Sequence, residues 1–380
     1  MGPLQGLRIV ELAGIGPGPF CGMLLADLGA EVVLIDRKGG SLPFGAGPRH
    51  DLTRRGKRSI AIDLKQPGAA EVVLRLVERA DGLIEGFRPG VMERLGLGPA
   101  VCLARNPRLV FGRLTGWGQH GPLANAAGHD LNYVALSGIL NHGGHRESAP
   151  SIPPTVVGDI GGGAMFMALG LVSGILRARE TGQGQVIDGA ITDGCAVMSM
   201  LIQGLRAQRL WVDRRQSNAL DGGAHWYDCY QCADGEWISV GALEPQFYQL
   251  LLQKCGLTGE GLEQAQFDVA NWPKLKERFA ELFRTRTRAE WCELLEGTDV
   301  CFAPVLSFAE AQAHPHNRAR GTYVEVGGVT QPAPAPRFSA TPAEVQAPPV
   351  GIAANTTELL LAAGYTDEEI AALSAAGVVQ

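Results

Sequence analysis

His129 and Asp159 are the residues of this chain best suited to chemistry. Each lies in a glycine-flanked segment where a helix is expected to begin: Gly128, His129, Asp130 and Leu131 in one case, Gly158, Asp159, Ile160 and Gly161 in the other. An imidazole and a carboxylate facing one another across a small cleft can each take or return a proton. That suits chemistry at a carbon acid. Taken singly, each has a plainer use, since an Asp before a Gly-rich helix start commonly caps the helix and an isolated His commonly packs.

Local charge is the second chemical signal. The net charge of -6 argues against nucleic acid as a partner. Yet positions 37 to 58 hold Arg37, Lys38, Arg49, Arg54, Arg55, Lys57 and Arg58 against a single acid, Asp51, and Arg88 and Arg94 follow. A basic patch in an acidic protein points to a small polyanionic ligand, unless it is only solvated surface. The turn holding Gly14, Gly16 and Gly18, with Asp36 ending the next strand, imitates a dinucleotide fingerprint. Pro19 takes the place of its third glycine, and Pro17 and Pro19 remove amides that a pyrophosphate would need, so a nicotinamide cofactor is not expected. The eight cysteines are too scattered for a disulfide framework, which favours a reducing, cytoplasmic setting. Cys229 and Cys232 have metal or redox spacing but no second pair, and no metal is expected.

Apolar periodicity supplies the elements that must carry these residues. Residues 7–12, 30–35, 59–63, 82–85 and 109–114 read as short strands, with helices near 23–28 and 69–79 between them. Such alternation argues for a doubly wound, Rossmann-like α/β sheet. The apolar stretch 161–176 is broken by Gly and Ser and bounded by charges, so it reads as a buried helix rather than a membrane span. Neither a secretory leader nor a membrane partner is expected. From about residue 225 aromatic strands flank the tight-turn pair Asp234 and Gly235, and Thr287 with Glu290 forms a capping box. The expected organisation is a large α/β domain whose first segment is 1–190, a linker helix over 191–224, a smaller α+β domain over 225–320, and a return segment, 321–380, that completes the large domain. The Pro-rich 331–338 should be extended.

Motifs spread over the chain resemble the family III CoA-transferase superfamily. They are residues 6–12, 26–32 and 54–59, the run Phe87, Arg88, Pro89, Gly90, the run Thr115, Gly116, Trp117, Gly118, the pair Gly158 and Asp159, and the stretch 331–338. Within that superfamily, Gly128, His129 and Asp130 and the run Glu244, Pro245, Gln246, Phe247 are similar to the α-methylacyl-CoA racemases. The resemblance implies an isomerase of lipid metabolism acting on acyl-CoA, with CoA entering as part of the substrate and no separate cofactor. It implies two chains interlocked like linked rings. Matching positions would place the CoA against Ile15, Gly16, Arg37, Arg54, Lys57, Lys65, Phe87, Arg88, Arg94 and Tyr133.

In this reading His129 and Asp159 alternate as acid and base on the two faces of the α-carbon, and Glu244 orients the His129 ring. Amides at a helix start after Asp159, near Gly161 to Gly163, would meet the enolate oxygen. The racemases often carry an amide side chain four residues before the reactive Asp, where this chain has Thr155. The competing reading is a CoA transferase of the same superfamily, with Asp159 attacking the thioester to give a mixed anhydride. Those transferases lack the His129-type residue and carry a glycine run near 241–245, where this chain has only Gly241. Both differences favour proton transfer.

Overall fold

The computed structural model describes residues 2–40 and 47–380, which form two compact units. The larger comprises residues 1–137, 153–198 and 320–380. Its centre is a six-stranded parallel sheet of β1 (Arg8–Leu12), β2 (Glu31–Arg37), β3 (Arg58–Ile62), β4 (Gly82–Glu85), β5 (Val110–Thr115) and β6 (Gln185–Ala190), in the order β3-β2-β1-β4-β5-β6. The strands β1 to β4 are largely apolar and buried because helices cover both faces, whereas the edge strand β6 is mostly exposed. Val10, Leu12, Ile35, Ile60, Ile62 and Leu83 are buried, in one core with Val72 and Val73 of the helix Ala69–Val77. Leu359, Leu360, Ile370 and Val379 of the C-terminal segment belong to that core too, and Val379 bridges Ile62 at the sheet edge.

Residues 156–181 form one helical run, a π-helix over Val156–Met165 followed by an α-helix over Phe166–Thr181. By length and composition it could cross a bilayer. One side instead packs inside the unit, burying Met167, Leu171 and Ile175, while Met165, Leu169 and Leu176 on the other side are exposed. The Pro-rich stretch begins as one strand of a hairpin, Tyr323–Val326 with Val329–Pro332, before turning irregular.

The smaller unit comprises residues 138–152 and 199–319. Its antiparallel sheet, β7 (Tyr227–Gln231), β8 (Trp237–Gly241) and β9 (Phe302–Pro304), packs with the helices Pro245–Lys254, Trp272–Phe283 and Arg288–Leu295 around Trp226, Tyr248, Phe279, Phe283 and Trp291. Two boundaries differ from expectation. Residues 138–152 leave the large unit because arginine side chains bind them to the small one: Arg215 donates to the carbonyls of Asn141, His145 and Ser148, and Arg146 donates to that of Gln216. Residues 199–224 likewise pack in the small unit, with Asn218 and Asp221 ordering the turn after the helix Met200–Ala207, rather than standing apart as a linker helix.

Candidate active site

Strand order reverses between β1 and β4, and the carboxyl edge at such a reversal is the usual ligand position in an open parallel sheet. The β1 loop reaches Gly16, whose φ of 78° and ψ of -117° suit only glycine. A side chain at this position would place its Cβ 2.6 Å from Asp159 Oδ2. Backbone of the β1 loop and the carboxylate of Asp159 are therefore in direct contact.

Asp159 projects from the π-helix, an element found often at functional sites because it turns one residue out of α-helical register. The chain enters it through Thr155, a non-glycine residue at φ 54°. The helix is seated by close backbone approach: a Cβ on Gly162 would lie 2.7 Å from Cys195 Sγ, and one on Gly194 would lie 1.9 Å from the Gly162 carbonyl oxygen. This overturns the role expected for Gly161 to Gly163. The helix begins at Val156, ahead of Asp159, so these glycines lie inside it and serve packing against the helix Ile191–Met198 instead of offering amides to an oxyanion.

His129 stands at the N-cap of the helix Asp130–Leu136, exposed, its amide donating to Asn132 Oδ1 at 3.0 Å. The next residue, Asp130, is buried, and its Oδ1 accepts the amide of Asp159 at 2.7 Å. Burial, the nearby charge of Asp130 and, in opposition, that of His129 set the Asp159 carboxyl at about 6, well above an ordinary carboxylate. Tyr133 is raised by burial and by Asp159, and lowered by Arg88. These shared electrostatics place His129, Asp130, Tyr133, Asp159 and Arg88 in one neighbourhood.

Ile15 and Gly16 follow β1, Arg37 ends β2, Lys65 follows β3, and Phe87, Arg88 and Arg94 follow β4, so the structure brings all seven to the carboxyl edge of the sheet. Ile15 is 72% exposed, and the four cations are exposed as well. Arg54 and Lys57 are corrections. Arg54 is buried, with Nη1 and Nη2 on the two carboxylate oxygens of Asp36 at 2.9 and 2.6 Å and Nε on the Val350 carbonyl. The Lys57 ammonium is fully buried on Glu11 Oε2 at 2.6 Å and the Pro19 carbonyl. Both are buried and already paired with a carboxylate, so neither presents its charge to a phosphate, and their neighbour Arg55 is held the same way by Asp27. Tyr133, expected against the CoA, lies in the same neighbourhood as Asp159 and Arg88. It is buried edge-on to Trp117 and spends its hydroxyl on the Gly128 carbonyl, steadying the loop ahead of His129. Glu244 opens the helix Pro245–Lys254 in the smaller unit, with its side chain exposed. Asp130 was missed as a site residue. Its signal was an acid at the first position of an apolar helix, directly after His129.

A family model for CoA-transferase family III matches residues 4–352. The chain is 45% identical over 381 residues to the α-methylacyl-CoA racemase of Mus musculus, covering 99% of this chain and 97% of that one. Against the α-methylacyl-CoA racemase of Homo sapiens it is 44% identical over 383 residues, with the same coverage. Identity to the succinyl-CoA–D-citramalate CoA-transferase of Chloroflexus aurantiacus is 31% over 400 residues, covering 99% and 98%. Among solved structures, a CAIB/BAIF family protein from Brucella suis superposes with a TM-score of 0.81 at 26% identity, covering 95% of this chain and 99% of that one.

Proposed function

Because the chain belongs to CoA-transferase family III and is an isomerase of its racemase type, we propose that it interconverts (2R)- and (2S)-2-methylacyl-CoA thioesters by 1,1-proton transfer. The observation that carries this is the Asp159 carboxyl, poised at about 6, in the electrostatic field of the exposed His129 imidazole. A carboxyl moved into the range where imidazoles titrate can exist with or without its proton at neutral pH. One group removes the α-hydrogen and leaves an enolate; the other, already protonated, returns a proton to the opposite face. The pair is then left in the protonation state that runs the reaction in reverse, and one proton exchange resets it for another forward turnover. Each positioned group of this kind contributes about 10²- to 10⁴-fold.

Arg37, Lys65, Arg88 and Arg94, exposed at the carboxyl edge of the sheet, would take the phosphates of the CoA, and Ile15, Gly16 and Phe87 its apolar parts. CoA arrives with the substrate, and no cofactor is needed for proton transfer. Glu244 would orient His129, as the racemase resemblance implies. The exposed row of Met165, Leu169 and Leu176 supports an interlocked homodimer, since a second copy would cover apolar surface that otherwise faces water. Eight unpaired cysteines support a reducing, cytoplasmic setting.

The test is proton NMR of one 2-methylacyl-CoA epimer in deuterium oxide. Loss of the α-hydrogen with appearance of the other epimer, abolished in both His129→Ala and Asp159→Ala, is expected. Transfer of CoA to an added carboxylate, dependent on Asp159 and without α-exchange, would replace this reading with that of a transferase.

A further inference from the structure

We propose that the side chain of Asp130 is the positioning residue of this site, tying Asp159 to the helix that His129 opens and so setting the spacing of the two bases; this rests on the racemase reading above. His129 and Asp130 are consecutive, so their Cα atoms are held about 3.8 Å apart by the peptide bond. Asp130 Oδ1 then grips the Asp159 amide at 2.7 Å. Two bases separated by thirty positions in the chain are thus joined by one covalent link and one charge-assisted hydrogen bond. The fit is made by Gly158, where a Cβ would lie 2.5 Å from Asp130 Oδ1 and 3.0 Å from Val134 Cγ2. The Asp159 amide sits in the first turn of its helix, which supplies it no acceptor, and Asp130 is only 7% exposed.

An Asn would accept the same bond without a charge, and the charge has its own effect. Asp130 pushes the Asp159 carboxyl upward, alongside burial. The other groups facing this pair are His129, which opposes the rise, Tyr133, Arg88 from the β4 loop, and the buried thiol of Cys195 on the helix packed below. Asp130→Asn therefore keeps the tether and removes the charge, whereas Asp130→Ala removes both.

The experiment measures kcat and KM for α-hydrogen exchange from each epimer across the acid-to-neutral range. A carbon-13 NMR titration of the Asp159 carboxyl in aspartate-labelled protein runs beside it. Asp130→Ala is expected to lose about 10²-fold in kcat in both directions, as a 1 Å misplacement does, with KM little changed. Asp130→Asn should recover most of that loss, with the acid limb for the direction in which Asp159 is the base moved to lower pH and the carbon-13 midpoint moved with it. Wild-type exchange in Asp130→Ala would overturn the proposal, and so would an Asn variant whose limb and midpoint stay in place. Should the Ala variant fail to fold, the Asn variant alone decides. If the wild type exchanges no α-hydrogen, the racemase reading falls. The midpoint still speaks then: moved, it upholds the tie between Asp130 and Asp159; unmoved, it overturns it.

Discussion

Gly16→Ala should disable the site through the carboxylate it touches. The new Cβ would start 2.6 Å from Asp159 Oδ2, whereas a carbon–oxygen contact settles at about 3.3 Å or more. The carboxylate or the β1 loop must therefore yield by about 0.7 Å, close to the 1 Å error that costs on the order of 10²-fold in rate. The backbone adds its own cost, since φ 78° with ψ -117° is nearly closed to residues with a Cβ and holding one there costs about 1–3 kcal/mol. The expected outcome is a fall in kcat for α-hydrogen exchange of about 30- to 100-fold for both epimers. Urea unfolding should show a stability loss within that strain range. The reasoning is refuted if kcat stays within about twofold of wild type and only KM rises. Gly16 would then serve the CoA alone, and its contact with Asp159 would have no part in the chemistry.

Asp159→Asn should be more stable than wild type at neutral pH. The folded carboxyl titrates at about 6 and an unfolded one near 4, so between those values the folded state holds a proton the unfolded state has lost, and stability falls as pH rises through that window. Melting temperatures should therefore favour the Asn variant above pH 6 and converge with wild type near about pH 4; a variant no more stable at neutral pH would refute the strain. Lys57→Met should destabilise by about 3–5 kcal/mol, because it strands the fully buried Glu11 carboxylate, and pairing it with Glu11→Leu should restore much of the loss in urea titrations. A merely additive double variant would show the pair is not coupled. Arg88→Ala and Arg37→Ala should each raise KM about tenfold with kcat nearly kept, since a charged hydrogen bond to phosphate acts equally in the ground and transition states. Unchanged KM in both would remove the CoA from this edge of the sheet.

Five of the six sheet strands were legible because each is an apolar run bounded by turn residues, and burial on both faces leaves little else for such a run to be. The basic segment was legible as charge but not as structure. Arg54, Arg55 and Lys57 looked like a ligand patch because their partners, Asp36, Asp27 and Glu11, come from two other strands and the helix Pro17–Asp27. A clue was present in β1 and β2, where Glu11 and Asp36 interrupt otherwise apolar runs and must be answered by a cation if buried. His129 and Asp159 stood out by residue type and glycine flanks. The π-helix did not, because the extra residue in its turn follows from packing on Cys195 and Ile191 rather than from any period in its own sequence. Asp130 was hidden for a related reason: what makes it matter is an amide twenty-nine positions away.

The π-helix also leaves slack in the chain. It closes its hydrogen bonds one residue later than an α-helix does, so the segment Val156–Met165 carries one residue that an α-helical version would not need. Deleting Ile160 would let the turn tighten while Gly162 and Gly194 stay locked together, and the turn that carries Asp159 would rotate by about 100° against the rest of the helix. Asp159 would swing off the β1 loop without disturbing the sheet. A one-residue deletion at Ile160 is therefore expected to abolish α-hydrogen exchange while the folded chain still binds CoA, a separation of binding from turnover that the two assays on the variant would reveal.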